Sequence, residues 1–157
     1  MEVEIRYNKE GLSAHKNNEL LFYSTTKINF LNTNRTIKIY NHDNNLVLEL
    51  FITESIINTN YKILYYNNSL LANIEEIGLD DIHFDGGKNL KKRYNNRIIS
   101  YYLDYYYIHE QTKIAQVKHK VKNHRCKMLI TIEDQNLTFL NQILIHILST
   151  RTADLND

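Results

Sequence analysis

Eleven of the nineteen Lys and Arg residues in this 157-residue chain lie between Lys88 and Lys127, where only Asp104 and Glu110 oppose them. That stretch carries a net +9, residues 1–87 carry −5 and residues 128–157 carry −3, so the formal total of +1 conceals a polarised sequence. Cations gathered in this way attract phosphate groups, acidic lipid headgroups or nucleic acid. The densest run also alternates. In KIAQVKHKVK followed by RCKMLITIE, a two-residue turn at Asn123-His124 sets Val121 opposite Cys126, His119 opposite Met128, Val117 opposite Ile130 and Ala115 opposite Ile132. All four pairs face inward, as a correct register requires. Lys118, Lys120, Lys122, Arg125 and Lys127 then share the outer face, with Lys120 opposite Lys127 and Lys122 opposite Arg125. Like charges directly across two strands cost up to about 1 kcal/mol. These five, with Lys91, Lys92 and Arg93 from the preceding run, are the candidate anion-binding residues. Lysines on an edge strand also discourage sheet-to-sheet association, and on sequence alone that plainer reading ranks first.

Other residues with chemical potential are scattered. Seven histidines lack ligand spacing; His83-Phe84-Asp85 places two donors on one strand face, far short of a metal site. Gly86-Gly87-Lys88 fails as a phosphate loop, because Asp81 stands where the first glycine is needed and Asn89 follows the lysine. Cys126 faces inward in the proposed register, an inert position for a thiol. His119 is expected to point into the core and His146 to satisfy buried backbone. Nothing assembles a nucleophile, a base and an oxyanion site, so the expectation is a non-catalytic protein without cofactor or metal. Tyr101, Tyr102, Tyr105, Tyr106 and Tyr107 imitate a base-stacking platform, but alternate residues of a strand point to opposite faces. No recognition helix, RNA-recognition or zinc-finger pattern accompanies them. Nucleic acid is therefore a disfavoured partner, and coding biased toward AT-rich codons explains the wealth of Tyr, Asn, Ile and Lys.

The elements that position these residues are mostly short strands. Glu2–Tyr7, Leu20–Tyr23, Lys27–Leu31, Thr36–Tyr40 and Leu46–Thr53 alternate apolar and polar residues. Leu46, Leu48, Leu50 and Ile52 share one face. Tyr61–Tyr66, a turn at Asn67-Asn68-Ser69, and Leu70–Glu76 read as a second hairpin after the one at His42–Asn45. Gly78–Arg93 changes character, and Ile82-His83-Phe84 is expected as a short strand before a mobile loop. Ile98–Glu110, Lys113–Lys122 and Arg125–Glu133 follow. The last element, Leu137–Leu148 (LTFLNQILIHIL), is apolar over most of its circumference, with Thr138, Asn141, Gln142 and His146 on a narrow stripe. Such a helix must be surrounded, and it is too short for a membrane span of ~17–25 residues. Asn136 is its expected N-cap. Many short strands and one enclosed helix predict an all-β fold: an antiparallel closed barrel of about twelve strands wrapped around Leu137–Leu148, in a single domain over 1–150, with a polar, frayed tail at 151–157.

The stretches IKIYNHDNNLVLEL, YKILYYNNSLLANIEE, DYYYIHEQTKIAQVKHK and CKMLITIEDQNLTFLNQILIHIL resemble the tubby C-terminal-like superfamily, most closely its LURP-one-related branch. Ala115, Val117 and Lys118 match the phrase that members repeat, a strand with a small residue before Val and a trailing Lys. The resemblance covers nearly the whole chain and implies a twelve-stranded barrel around the C-terminal helix. Phospholipid scramblases resemble it in fold, although their cysteine cluster and membrane-anchoring end are lacking here. It also implies an anionic lipid partner, since tubby proteins bind phosphoinositides through a basic groove, but no groove position carries over residue by residue. The expectation is a cytoplasmic binding module, peripheral at a membrane, that engages an anionic lipid headgroup. The alternative is a protein-interaction domain using the same surface or a sheet edge.

Overall fold

A computed structural model describes residues 1–8, 10–28, 34–54, 58–71, 73–94, 104–122 and 125–153; the side chains of 121, 122, 125, 126 and 153 lie outside it. In chain order the strands are β1 (Glu2–Tyr7), β2 (Leu12–Lys16), β3 (Glu19–Ile28), β4 (Arg35–Asn41), β5 (Leu46–Glu54), β6 (Thr59–Tyr66), β7 (Ile74–Ile77), β8 (Asp81–Phe84), β9 (Lys88–Tyr94), β10 (Tyr105–His109), β11 (Thr112–Lys122) and β12 (Arg125–Ile132). A 3-10 turn, Asp134–Phe139, leads into α1 (Leu140–Ala153). The twelve strands form one antiparallel sheet in the order β6-β5-β4-β3-β2-β1-β12-β11-β10-β9-β8-β7, curled into a nearly closed barrel. Two meanders, β1–β6 and β7–β12, are joined by the ladder between β1 and β12.

Alternation explains why these segments are strands. Val3 and Ile5 on β1, Ile37 and Ile39 on β4, and Leu48, Leu50 and Ile52 on β5 are fully buried, while the residues between them face outward. Turns with left-handed residues link the ladders at one end. Asn17 and Asn18 have φ of 50° and 67°, and Glu110 and Gln111 have 46° and 68°, the conformation in which a two-residue turn matches the strand twist. The β11–β12 register is the expected one at every pair, from Ala115↔Ile132 to Lys122↔Arg125.

Helix α1 lies inside the barrel, packed chiefly on β2, β3 and β4. Residues 142–150 are all buried, and Ile143 through Ser149 are fully so. Ile143, Leu144, Ile145, Ile147 and Leu148 join the strands' inward residues in one apolar core, each gaining roughly 25 cal/mol per Å² of apolar surface removed from water. It begins and ends later than Leu137–Leu148. Leu137 is 38% exposed on the preceding 3-10 turn, and Asn136 does not cap the helix; its amide donates to the Ile114 carbonyl instead (3.4 Å). Residues 151–153 are not a frayed tail. They continue the helix because Thr152 is fully buried and shares a 2.6 Å hydrogen bond with Ser24.

Four other expectations are corrected. The pair Leu20–Tyr23 and Lys27–Leu31 is, within the described residues, one continuous strand, β3. A strand not anticipated, β2, precedes it, because LSAHK presents only Leu12 and Ala14 to the core. Tyr61–Tyr66 and Leu70–Glu76 do not form a hairpin: among the described residues β6 pairs only with β5 and β7 only with β8, so these sequence neighbours are the two edges of the sheet. The loop expected after Phe84 is a tight turn, Asp85-Gly86-Gly87 (φ 48°, 71° and 104°), that closes a β8–β9 hairpin. Of Ile98–Glu110, only 104–110 falls within the described residues.

Candidate anion-binding surface

Strands β9 to β12 are neighbours in the sheet, so the basic stretch of sequence becomes a basic wall in space. Lys118 and Lys120 stand exposed on its outer face. Neither has an ion-pair partner among the described residues, unlike Lys38, Lys88 and Lys127. Strand β11 lies between β10 and β12, and the sheet's edges are β6 and β7. The edge-protection reading of these lysines therefore fails, since no edge is there to protect.

Lys120 and Lys127 are cross-strand partners, and Arg6 of β1 is the next residue across the sheet. Three cations thus sit in one row spanning β11, β12 and β1. Glu4 partly answers them: its carboxylate accepts from Lys127 Nζ at 2.6 Å and from Arg6 Nε at 2.7 Å. Those bonds, Lys127's first and Arg6's second, hold the Glu4 carboxyl below the usual carboxylate range. Arg6 also donates to the Asn18 side chain at 2.7 Å. Beside them, burial and then the Arg6 charge lower the pKa of His15, which favours its neutral form. Four cations (Lys118, Lys120, Lys127 and Arg6) share this part of the wall with two carboxylates, Glu4 and Asp104, and the latter accepts from the His119 N–H (2.9 Å) between Lys118 and Lys120.

The other candidates divide. Lys91 and Arg93 are exposed on β9, with Arg93 opposite Tyr106. They extend the wall to about 10 Å from β11, two strand spacings away. The backbones of Lys122 and Arg125 pair as expected, while their side chains lie outside the described residues. Lys92 does not belong to the surface. Alternation along KNLKKRY turns it inward beside buried Leu90, and it is only 5% exposed. Its ammonium donates to the Leu79 carbonyl at 2.8 Å, pairs with Asp80 at 3.0 Å, and lies 5.3 and 5.5 Å from the Tyr94 and Tyr105 ring centres. A charge satisfied in this way is not available to an external anion. Arg6 and Glu4 were missed from sequence because they lie in the acidic half of the chain. The outward phase of Glu2, Glu4 and Arg6 was a signal, but their neighbour was not.

Inside the barrel, a second polar group holds the structure. His146 is fully buried; its Nε2–H donates to the Gly78 carbonyl (3.0 Å), so Nδ1 accepts from the Tyr107 hydroxyl (2.6 Å). Burial, reinforced by the Lys92 charge, pushes the His146 pKa down to about 3. Burial raises those of Tyr105 and Tyr107. Tyr105 and Tyr107 point inward while Tyr106 is half-buried on the outer side, which leaves one of these three for any stacking role. His119 is half-buried with its ring 6.0 Å from that of Tyr105. Among the described residues no three His, Cys, Asp or Glu side chains gather closely enough to hold a metal ion, and no helix is long and apolar enough to cross a membrane.

Compared with protein-family models, with curated proteins and with solved structures, the chain matches none.

Proposed function

We propose that this protein is a non-catalytic binding module whose basic wall docks on anionic lipid headgroups, phosphoinositides included, as a peripheral protein of the cytoplasmic membrane face. The observation that carries the reading is the pair Lys118 and Lys120. Both are exposed on a strand interior to the sheet, without a carboxylate partner among the described residues, beside Lys127 and Arg6. Like charges kept side by side at a cost in stability point to an anion that offsets them. The barrel-around-helix architecture is the one a tubby-like, LURP-one-related protein would have, and it supports that kinship as part of the same proposal.

Co-sedimentation with vesicles tests it. The protein is expected to bind phosphatidylcholine vesicles containing phosphatidylserine or a phosphoinositide, and not phosphatidylcholine alone, with affinity falling as salt rises. Each Lys near such a surface is worth about 1 kcal/mol. The double reversal Lys118→Glu with Lys120→Glu should therefore weaken binding roughly tenfold or more while circular dichroism stays unchanged. Equal binding of the reversed variant would exclude the wall as the site.

A second reading rests on the edge strand β6. Leu64 is 51% and Tyr65 is 44% exposed there, next to a bulge opposite Glu49 and Leu50. An exposed edge with two large apolar residues suits a protein partner that adds a strand or packs on them. Vesicle binding that fails at all salt concentrations, together with self-association in sizing experiments, would favour it.

A further inference from the structure

Antiparallel strands place their ends alternately, so the β7–β8 connection, the last residues of β9 and β11, and the first residues of β12 share one end of the barrel. At that end Leu79 is 50% exposed. It is the only exposed large apolar side chain there among the described residues; Leu64 and Tyr65 lie near the opposite end of β6, and Leu137 follows β12 at the opposite end. The turn that carries Leu79 is pinned at each residue. Gly78 N–H donates to the Asp81 carbonyl (2.8 Å), and the Gly78 carbonyl accepts from His146. The Leu79 carbonyl accepts from Lys92 Nζ, and the Asp80 carbonyl accepts from Lys92 N–H (2.6 Å). The isobutyl group is thus held outward on a rigid support. The Asp80 carboxylate beside it pairs with buried Lys92 at 3.0 Å, and that of Asp81, which closes the turn, lies 3.5 Å from His83 Nε2.

We propose that Leu79 is the apolar contact this end of the barrel makes with an anionic bilayer, entering the boundary between headgroups and acyl chains while Lys118, Lys120 and Arg93 meet the headgroups. Apolar insertion beside cations is the combination by which a protein lies on a membrane without spanning it. The inference rests on the lipid-docking reading and adds the orientation of the molecule. It also gives Lys92 a task, as the positioning residue that holds the turn and pairs with Asp80.

The chain has no tryptophan, so Leu79→Trp installs a single reporter at an exposed position. With vesicles of phosphatidylcholine and phosphatidylserine, its emission is expected to shift to the blue and to be quenched by lipids brominated on the acyl chain. Leu137→Trp, at the other end, is expected to do neither. Leu79→Ser should weaken vesicle binding about three- to tenfold, as expected from losing most of one leucine's transfer into an apolar phase. Emission from Leu79→Trp that stays aqueous and unquenched, while the variant still sediments with vesicles, would overturn the inference and leave the basic wall standing. Equal quenching of Leu137→Trp would overturn the orientation. Absence of sedimentation for every variant and the parent protein would overturn the lipid-docking reading and this inference together.

Discussion

At the scale of single residues, the buried imidazole of His146 is the group most sensitive to its surroundings. The Gly78 carbonyl can only accept, which fixes the proton on Nε2 and leaves Nδ1 to accept from Tyr107. Changing Tyr107 to Phe strands that nitrogen, and the opposite tautomer would strand the Gly78 carbonyl as well, with an Nδ1–H that has no acceptor. Tyr107→Phe should therefore cost about 1–3 kcal/mol in urea denaturation, and an unchanged midpoint would show that the bond contributes nothing. The same site sets a pH dependence. The pKa is about 3 in the fold against 6.5 for the ordinary side chain, so the unfolded chain takes up the proton first. Stability is full above pH 6.5 and falls as pH drops toward 3, with about 2 kcal/mol lost by pH 5. The lowered Glu4 pKa acts in the same direction: stability present above its ordinary value of 4.5 is lost at lower pH. Denaturation midpoints that stay level between pH 7 and pH 5 would contradict this account.

At the scale of elements, Gly11 governs how β2 enters the sheet. A Cβ there would lie 2.1 Å from the Ser24 carbonyl oxygen, a backbone atom that cannot swing aside. Ser24 in turn bonds the Leu12 N–H and Thr152 of the helix. Gly11→Ala should push β3 outward, loosen that link between wall and helix, and cost about 1–3 kcal/mol or more by thermal unfolding. How far such elements were legible in the sequence depended on whether local pattern was sufficient. The β11–β12 register could be derived because two alternating runs flank a two-residue gap, and only one pairing buries both apolar sets. The enclosed helix was legible because its apolar arc is too wide for a single neighbour. The β6–β7 relation was not, since Asn67-Asn68-Ser69 has the chemistry of a hairpin turn whether or not the flanking strands pair. Sheet closure settles that, and closure is a property of all twelve strands. The same limit applied to the candidate site. The lysines of the hairpin were visible in sequence, whereas Lys92 was hidden within a run of cations, and Arg6 became a neighbour only through pairing between residues at opposite ends of the sequence.

At the scale of the whole molecule, the uneven charge along the sequence becomes an uneven charge in space because β9 to β12 are adjacent. Glu4 tempers the wall by holding both Lys127 and Arg6. Glu4→Gln should release them and raise affinity for phosphatidylserine vesicles about fivefold, as expected from one charge near the surface, with a steeper dependence on salt. Unchanged or weaker binding would mean that Glu4 masks nothing. The ladder that brings Glu4 to the wall also joins residues made far apart in time, since the Met1 ammonium bonds the Ile132 carbonyl across 131 residues. While the first six strands emerge from a ribosome, their inner face has neither the other half of the sheet nor the helix to cover it. Assembly must therefore wait for the last elements to be synthesised. A chaperone that shields this apolar half-sheet during translation would determine how much of the protein survives to fold.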